Sequence, residues 1–334
     1  MKSVGNRDIR WGIIGLGKIA NKFATDLVTV EGAELYAVAS REQQKADEFL
    51  TKFNAKVAYS SYQALANDPN IDAVYIATPH TFHQQHSLLC LDQGIAVLCE
   101  KPFAMDLAQV DTMIALAQQK KVLLMEALWT YFLPHYGYVL TELKNKTFGN
   151  IEKIEADFGF VRKFDNQSRL FRKSLGGGSL LDIGIYPIFA ALSTLGVPNK
   201  IVANAEYFDN GVDSSCTMEF HYDQATASLH STLKENTPCE AVFYCEHGTI
   251  KINKDFHGPT TVSVITEDDV RTIDFDYSTN GYNFEIMHFN ELLRQGKTQS
   301  DIMTFEFSQQ LMQTLDKVRA LIGLNYSVKS QPKP

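Results

Sequence analysis

The stretch that most constrains this chain runs from Arg10 to Leu27, RWGIIGLGKIANKFATDL. An apolar run leads into Gly15-Leu16-Gly17, and an amphipathic segment follows with Ala20 as a third small residue. The order is strand, tight glycine turn, helix, with G-x-G-x-x-A at the junction. The first glycine permits the turn, and the second lets the backbone approach a pyrophosphate. The third small residue lets the helix pack on its strand. Phosphates would then lie on the free N–H groups and positive dipole end of the helix that opens with Lys18 and Ile19. Glycine turns are common, but the flanking strand and helix are the context this motif requires, and they favour a dinucleotide over a plain structural turn.

A chain of 334 residues exceeds what one hydrophobic core usually serves, so two domains are expected. The net charge is -8, with no long basic run to offset it, which argues against nucleic acid and anionic membrane surfaces as partners. Cys90, Cys99, Cys216, Cys239 and Cys245 are odd in number and scattered, a pattern of reduced thiols in a cytoplasmic protein. The apolar run after Arg10 is broken at Lys18 and reads as a strand, not a secretion signal. The strongly apolar uncharged run Ile183 to Asn199 holds two glycines and two prolines and is too short and interrupted to span a bilayer.

Along the first part of the chain, strand-like and helix-like patterns alternate. Ala33 to Ser40, a short run from Lys56, Ile71 to Pro79, Ile95 to Pro102 and Val122 to Trp129 read as strands two to six. Arg41 to Phe53, His83 to Gln93 and a segment capped by Asp106 read as helices between them. This alternation predicts a Rossmann-type, doubly wound parallel sheet with right-handed crossovers over residues 1–129. The periodicity then changes. After a helix from Pro134 to Lys146 come six β-branched and aromatic runs with two-residue alternation, interrupted by one helix, Leu180 to Gly196. Helical patterns follow over Tyr282 to Gln295 and Thr304 to Leu324, and Lys329 to Pro334 reads as a disordered tail. Residues 130–334 are therefore expected to form an α+β domain with a large, mostly antiparallel sheet open on one face.

Several residues could carry chemistry. At the end of the second strand, where an NAD site usually places Asp or Glu, stand Ser40 and Arg41, with Lys45 one turn on. A guanidinium can grip a 2′-phosphate bidentately, so Ser40 and Arg41 favour NADP over NAD, although both basic residues could simply be a solvated helix face. Thr78-Pro79-His80 closes the fourth strand at the carboxyl end, where open α/β sheets bind ligands. His80, His83 and His86 are spaced by three, but no thiolate or carboxylate completes a metal set, so they read as cleft-lining or helix-start residues. Glu100-Lys101-Pro102 closes the fifth strand at the same rim. Lys101 is either an exposed charge before a turn or an ammonium that places a substrate oxygen, with Pro102 limiting its swing.

In GGGSLLDIGIYP, Asp182 and Tyr186 fall four apart and so share a helix face. A carboxylate in so apolar a segment needs a partner. One account is a helix N-terminal charge beside a core tyrosine. The other pairs Asp182 with Lys101 and makes Tyr186 the proton carrier. An unperturbed phenol titrates near ~10, so this second account requires a nearby cation.

GLGKIA, IATP, CEKP and GGGSLLDIGIYP, in this order, resemble the glucose–fructose oxidoreductase and inositol dehydrogenase (Gfo/Idh/MocA) family, and the resemblance extends to GYNFEIMHFNELLRQGK near the C-terminus. It implies a Rossmann domain followed by an α/β domain whose open sheet forms oligomer contacts, hence a homodimer or homotetramer. It maps the catalytic lysine to Lys101 and the helix aspartate to Asp182. Many members carry histidine where this chain has Tyr186. That departure, with MEALWTYFLP, is similar to the dimeric dihydrodiol dehydrogenase and NADP-linked xylose dehydrogenase branch. Trp129, Phe160, Arg162 and Phe256 then become candidates for the substrate pocket, with core packing an equal explanation for the aromatics. The resemblance implies an NADP-dependent dehydrogenase of a cyclic polyol, aldose or dihydrodiol, with its site in the cleft between domains. The rival is a catalytically silent regulator on the same fold, which could have lost the lysine, aspartate or tyrosine; all three are present.

Overall fold

The computed structural model describes residue 5 and residues 7–326; the tail from Lys329 lies outside them. Strands and helices alternate first: β1 (Ile9–Ile14), α1 (Lys18–Leu27), β2 (Ala33–Ala39), α2 (Gln43–Phe53), β3 (Val57–Tyr59), α3 (Tyr62–Ala66), β4 (Ala73–Ile76), α4 (His83–Asp92), β5 (Ala96–Glu100), α5 (Leu107–Lys120) and β6 (Leu124–Ala127). Then come α6 (Pro134–Lys144), β7 (Ile151–Gly159), α7 (Ile185–Leu195), β8 (Lys200–Tyr207), β9 (Asp213–His221), β10 (Thr226–Thr232), β11 (Ala241–Cys245), β12 (Gly248–Ile252), β13 (Val262–Ile265) and β14 (Val270–Ile273). Two helices close the order, α8 (Tyr282–Arg294) and α9 (Phe305–Leu321).

The chain forms two compact units, Met1–Leu133 with Tyr277–Gln309, and Pro134–Asp276 with Gln310–Pro334. The first holds a six-stranded parallel sheet in the order β3-β2-β1-β4-β5-β6, so the doubly wound sheet is present. Strand order reverses between β1 and β4, which places a ligand-binding crevice at their carboxyl ends. Strands β4, β5 and β6 are apolar and buried almost throughout, as covering on both faces requires. Asp106 caps α5 as expected, its side chain accepting from the Gln109 N–H at 2.9 Å.

This division differs from the single boundary expected at Trp129, because α8 belongs to the first unit. Asp26, near the end of α1, is 1% exposed. Its carboxylate accepts from the Asn280 and Tyr282 N–H groups at 3.2 and 2.8 Å and from Asn280 Nδ2 at 2.7 Å. Farther along α8, Asn290 Oδ1 accepts from Trp11 Nε1 at 3.0 Å, and Phe289 lies 5.0 Å from the Trp11 ring. Partners about 250 residues apart leave no mark in local periodicity.

The second unit holds an eight-stranded sheet in the order β14-β13-β12-β11-β7-β10-β9-β8. All pairs are antiparallel except β7 with β10. Six runs were expected; the one from Cys239 to Asn253 folds into two strands, β11 and β12, through a tight turn at Glu246-His247, and β14 had no apolar alternation to reveal it. Ile154, Ala156, Phe158, Met218, Phe220, Leu229, Phe243 and Ile250 face the core, whereas Glu155, Glu219, Ser228 and Tyr244 alternate onto the other face. Helix α7 is apolar all round and packs on β7 and β10. The helical stretch Lys173–Leu195 has the length and hydropathy of a membrane span, yet 89% of its apolar window is buried inside the protein.

Asp26→Ala removes the acceptor from two buried N–H groups at the start of α8. It is expected to cost about 2–4 kcal/mol in urea unfolding, with Asp26→Asn recovering part of that loss.

Candidate functional site

At the end of β1 the backbone of Gly15 has φ +91, and its N–H donates to the Ala39 carbonyl at 3.3 Å. A Cβ at Gly15 would lie 2.9 Å from the Ala77 carbonyl group and 2.8 Å from Thr78 Cγ2, so only glycine allows β1 and β4 to end this close together. At Gly17 the Cβ position meets nothing within 4 Å, which leaves room for a ligand to approach the backbone. Gly17 caps α1 without a side-chain hydrogen bond, so the first N–H groups of the helix face outward without a side-chain acceptor. Ala20 is fully buried, Lys18 is exposed and Ile19 is 39% exposed. These observations fit a dinucleotide pyrophosphate on the turn.

Ser40 is buried at the end of β2, with its N–H donating to the Tyr59 carbonyl at 3.1 Å and its Oγ accepting from the Glu42 N–H at 3.2 Å. Arg41 is exposed and lies outside α2, which starts at Gln43; Lys45 is exposed on that helix. Arg41 lies near Tyr62 and His86, and its charge opposes the rise that burial imposes on the Tyr62 phenol. Arg41 thus precedes α2 rather than standing on it.

The Thr78-Pro79-His80 turn and the start of α4 are tied together by their own side chains. His83, fully buried, has Nε2 2.8 Å from the Thr78 carbonyl and Nδ1 2.8 Å from the Pro102 carbonyl. His83 thus works within the protein, as a brace between the ends of β4 and β5. His86 contacts Thr78 Oγ1 at 3.0 Å. Burial, then the neighbouring His83 and Arg41, push the His86 imidazole down to about 4. His80 is 4% exposed and Pro79 half-buried.

Lys101 follows at the end of β5, half-buried, with a cis peptide to Pro102. Its N–H donates to Glu100 Oε2 at 3.2 Å, and Tyr75 Oη donates to Glu100 Oε1. Trp129 is 8% exposed and stacks on Tyr282 with ring centroids 4.4 Å apart.

In the second unit Asp182 does not sit on an ordinary α-helix. Leu180–Gly184 is one π turn, continuing into α7. Pro187 has no N–H to give the carbonyl of Ile183, and the ladder changes register just before it. Gly184 lets the turn approach β10, since a Cβ there would lie 2.8 Å from Ser231 Oγ. Asp182 Oδ1 accepts from Arg169 Nη2 at 2.9 Å, so the carboxylate has a cationic partner inside its own unit. Tyr186 is 5% exposed, its ring 5.6 Å from Phe158 and 5.1 Å from His257. Arg162 is exposed and lies over the Phe160 ring at 5.5 Å. Phe256 is fully buried and its carbonyl accepts from His135 Nε2 at 3.2 Å.

Arg169, Phe158 and His257 were missed by the sequence reading. Arg169 sits thirteen residues before Asp182 in an irregular loop, with no periodicity to place it. His257 was within reach, being next to the aromatic that had been singled out.

A glycine turn at a topological switch point, a free helix N-terminus and a lysine braced at the neighbouring strand end define a nucleotide-dependent oxidoreductase. Residues 9–128 match the oxidoreductase family with an NAD-binding Rossmann fold, and residues 139–251 match the Gfo/Idh/MocA C-terminal domain. The chain belongs to the Gfo/Idh/MocA family. It is 34% identical to trans-1,2-dihydrobenzene-1,2-diol dehydrogenase of Xenopus tropicalis over 95% of this chain and 99% of that one. It is 32% identical to scyllo-inositol 2-dehydrogenase (NADP(+)) IolU of Bacillus subtilis, over 95% and 98%. Among solved structures it resembles KijD10, a 3-ketoreductase from Actinomadura kijaniata in complex with NADP and TDP-benzene. The TM-score is 0.86 at 26% identity, covering 95% of this chain and 98% of that one.

Glu126, on β6, braces the loop after Lys101: its Oε1 accepts from the Phe103 N–H at 2.9 Å. Burial pushes this carboxyl up to about 8. The folded protein therefore holds a proton that the unfolded chain releases above pH ~4.5, and stability drains away as pH rises from there to about 8. Glu126→Gln keeps the acceptor without the titration. In unfolding titrations the variant is expected to gain several kcal/mol on the wild type between pH 5 and 8, with a constant difference below that window.

Proposed function

We propose that the protein is an NADP-dependent dehydrogenase acting on a CH–OH carbon of a cyclic polyol, aldose or trans-dihydrodiol. The observation that carries this reading is the brace from Gly15 through Thr78 and His83 to Pro102, which fixes Lys101 relative to the nucleotide turn. The names of the relatives support the substrate class, since dihydrobenzene diols and inositols both present adjacent hydroxyls on a ring.

Gly15, Gly17 and Ala20 with Lys18 and Ile19 would hold the pyrophosphate, while Ser40 and Arg41, assisted by Lys45, would hold the 2′-phosphate through charge-assisted hydrogen bonds. Thr78, Pro79, His80, His83, Glu100 and Lys101 form the rim of the nicotinamide end. NADP, when bound, supplies the hydride acceptor or donor. In the oxidative direction Tyr186 Oη would take the hydroxyl proton, and Lys101 Nζ would stabilise the alkoxide. Asp182, paired with Arg169, is the third catalytic residue of this proposal. Trp129, Phe160 and Arg162 shape substrate binding, Arg162 through the cation it holds over Phe160. Five buried, unpaired cysteines accord with a cytoplasmic protein. The polar face of the second unit's sheet is the surface by which two or four copies would associate.

The test is an absorbance screen at the NADPH band, with NAD and NADP against D-xylose, hexoses, scyllo-inositol and trans-cyclohexane-1,2-diol. Turnover with NADP on at least one ring diol is expected, falling by about 10²–10⁴ in Lys101→Ala and in Tyr186→Phe. Variants within a few-fold of wild type would refute the assignment. Arg41→Glu is expected to cost NADP about 10–100-fold in affinity while sparing NAD. Sedimentation equilibrium is expected to give a dimer or tetramer; a monomer at micromolar concentration would remove the oligomer from the proposal.

A further inference from the structure

The segment that carries Asp182 and Tyr186 starts without a cap of its own. Ser179, just before the π turn, has φ -71 and ψ -46, and its hydroxyl is engaged with Ser231 Oγ at 2.6 Å. The first N–H groups of a helix need acceptors from elsewhere. For Leu180 the acceptor comes from thirty-three residues ahead: Asp213 Oδ2, at the first position of β9, lies 2.6 Å from the Leu180 N–H. Asp213 is fully buried.

The glycine loop before the helix is shaped around that carboxylate. Gly178 has φ +132, and a Cβ on it would lie 1.9 Å from Asp213 Oδ1. A Cβ on Gly177 would meet the backbone of Arg169, Leu170 and Arg172 at 2.6–2.9 Å. Tyr326 Oη donates to the Gly177 carbonyl at 2.9 Å and lies 3.4 Å from Asp213 Oδ1. The loop is thus fixed by Asp213 and Tyr326, and it also locates the backbone of Arg169, whose guanidinium pairs with Asp182. All these groups lie within the second unit.

We propose that Asp213 is a positioning residue for catalysis: by capping the Leu180 N–H and seating Gly177-Gly178, it sets the start of the π turn and so the direction of Asp182 and Tyr186. It touches neither substrate nor cofactor. A negative group also suits the positive end of the helix dipole, and its second oxygen can serve Tyr326 while the first serves Leu180. This inference rests on the roles proposed above for Asp182 and Tyr186.

The experiment compares Asp213→Ala, Asp213→Asn and Tyr326→Phe with Lys101→Ala. Each is assayed with NADP on whichever of D-xylose, scyllo-inositol and trans-cyclohexane-1,2-diol the wild type turns over fastest. A displacement of the helix start by about 1 Å is expected to lower kcat about 100-fold in Asp213→Ala, with the NADP dissociation constant within twofold of wild type. Asp213→Asn, which retains an acceptor for Leu180, is expected within about tenfold, and Tyr326→Phe several-fold below wild type. Amide exchange over residues 179–184 should accelerate in Asp213→Ala and much less in Asp213→Asn. Wild-type kcat and exchange in a folded Asp213→Ala would overturn the proposal. Should that variant not fold, wild-type kcat in both Asp213→Asn and Tyr326→Phe would do so. Full turnover in Lys101→Ala would refute the underlying reading of the site, whereas an inactive Lys101→Ala beside a fully active Asp213→Ala removes only the role of Asp213.

Discussion

The approach of Gly15 to the end of β4 is the constraint on which the first unit's site depends. A side chain at Gly15 would collide with the Ala77 carbonyl group and with Thr78. Its absence lets the two central strands finish side by side, at the point where the sheet reverses direction. Thr78 is then in place to offer its carbonyl to His83 and its hydroxyl to His86. The other nitrogen of His83 reaches the Pro102 carbonyl and so holds the loop that begins with Lys101. One tight backbone contact is thereby linked, through a buried imidazole, to the loop that carries the lysine at the next strand end. Buried polar networks of this kind rigidify when fully satisfied.

The second unit solves a different problem, how to keep a carboxylate in an otherwise apolar segment. From Ile185 to Leu192 every residue of α7 is buried. Asp182 escapes that environment because the preceding turn is wider than an α turn and turns one flank toward Arg169. The ion pair offsets part of the desolvation penalty that a lone carboxylate would carry there. The same turn owes its start to Asp213, so two acids with different jobs flank it. Asp213 is inside the core and fastens the helix, and Asp182 is at its margin, paired with Arg169.

Much of this was legible in the sequence wherever the cause was local. All six parallel strands, the Asp106 cap and the glycine turn follow from neighbouring residues, and the run of motifs identified the family. What escaped was determined at long range. Asp26 recruits Asn280 and Tyr282 to the first unit across more than 250 positions, which no window of periodicity registers. The parallel pairing of β7 with β10 inside an otherwise antiparallel sheet depends on strand order, not on either strand's composition. Among site residues, His83 was noticed for its spacing, but its brace between two carbonyls requires the fold to bring Thr78 and Pro102 to either side of one ring. Arg169 comes from an irregular loop and gains meaning only beside Asp182. For Phe256 the sequence left pocket lining and core packing equal, and its complete burial could not be seen from its immediate neighbours.

The charge around Lys101 follows from burial as much as from composition. Four acids in the first unit, Asp26, Glu100, Glu126 and Glu285, could in principle surround the site with negative potential. Burial pushes Glu126 up to about 8 and Glu285 well above the carboxylate range, and neither oxygen of Glu285 has a hydrogen-bond partner among the described residues. Glu126 therefore keeps its proton near neutrality. Asp26 is occupied with the start of α8. Glu100 accepts from Tyr75 Oη and from the Lys101 N–H. Burial thus removes the charge of Glu126 at neutrality, and with it one negative charge from the interior of the first unit.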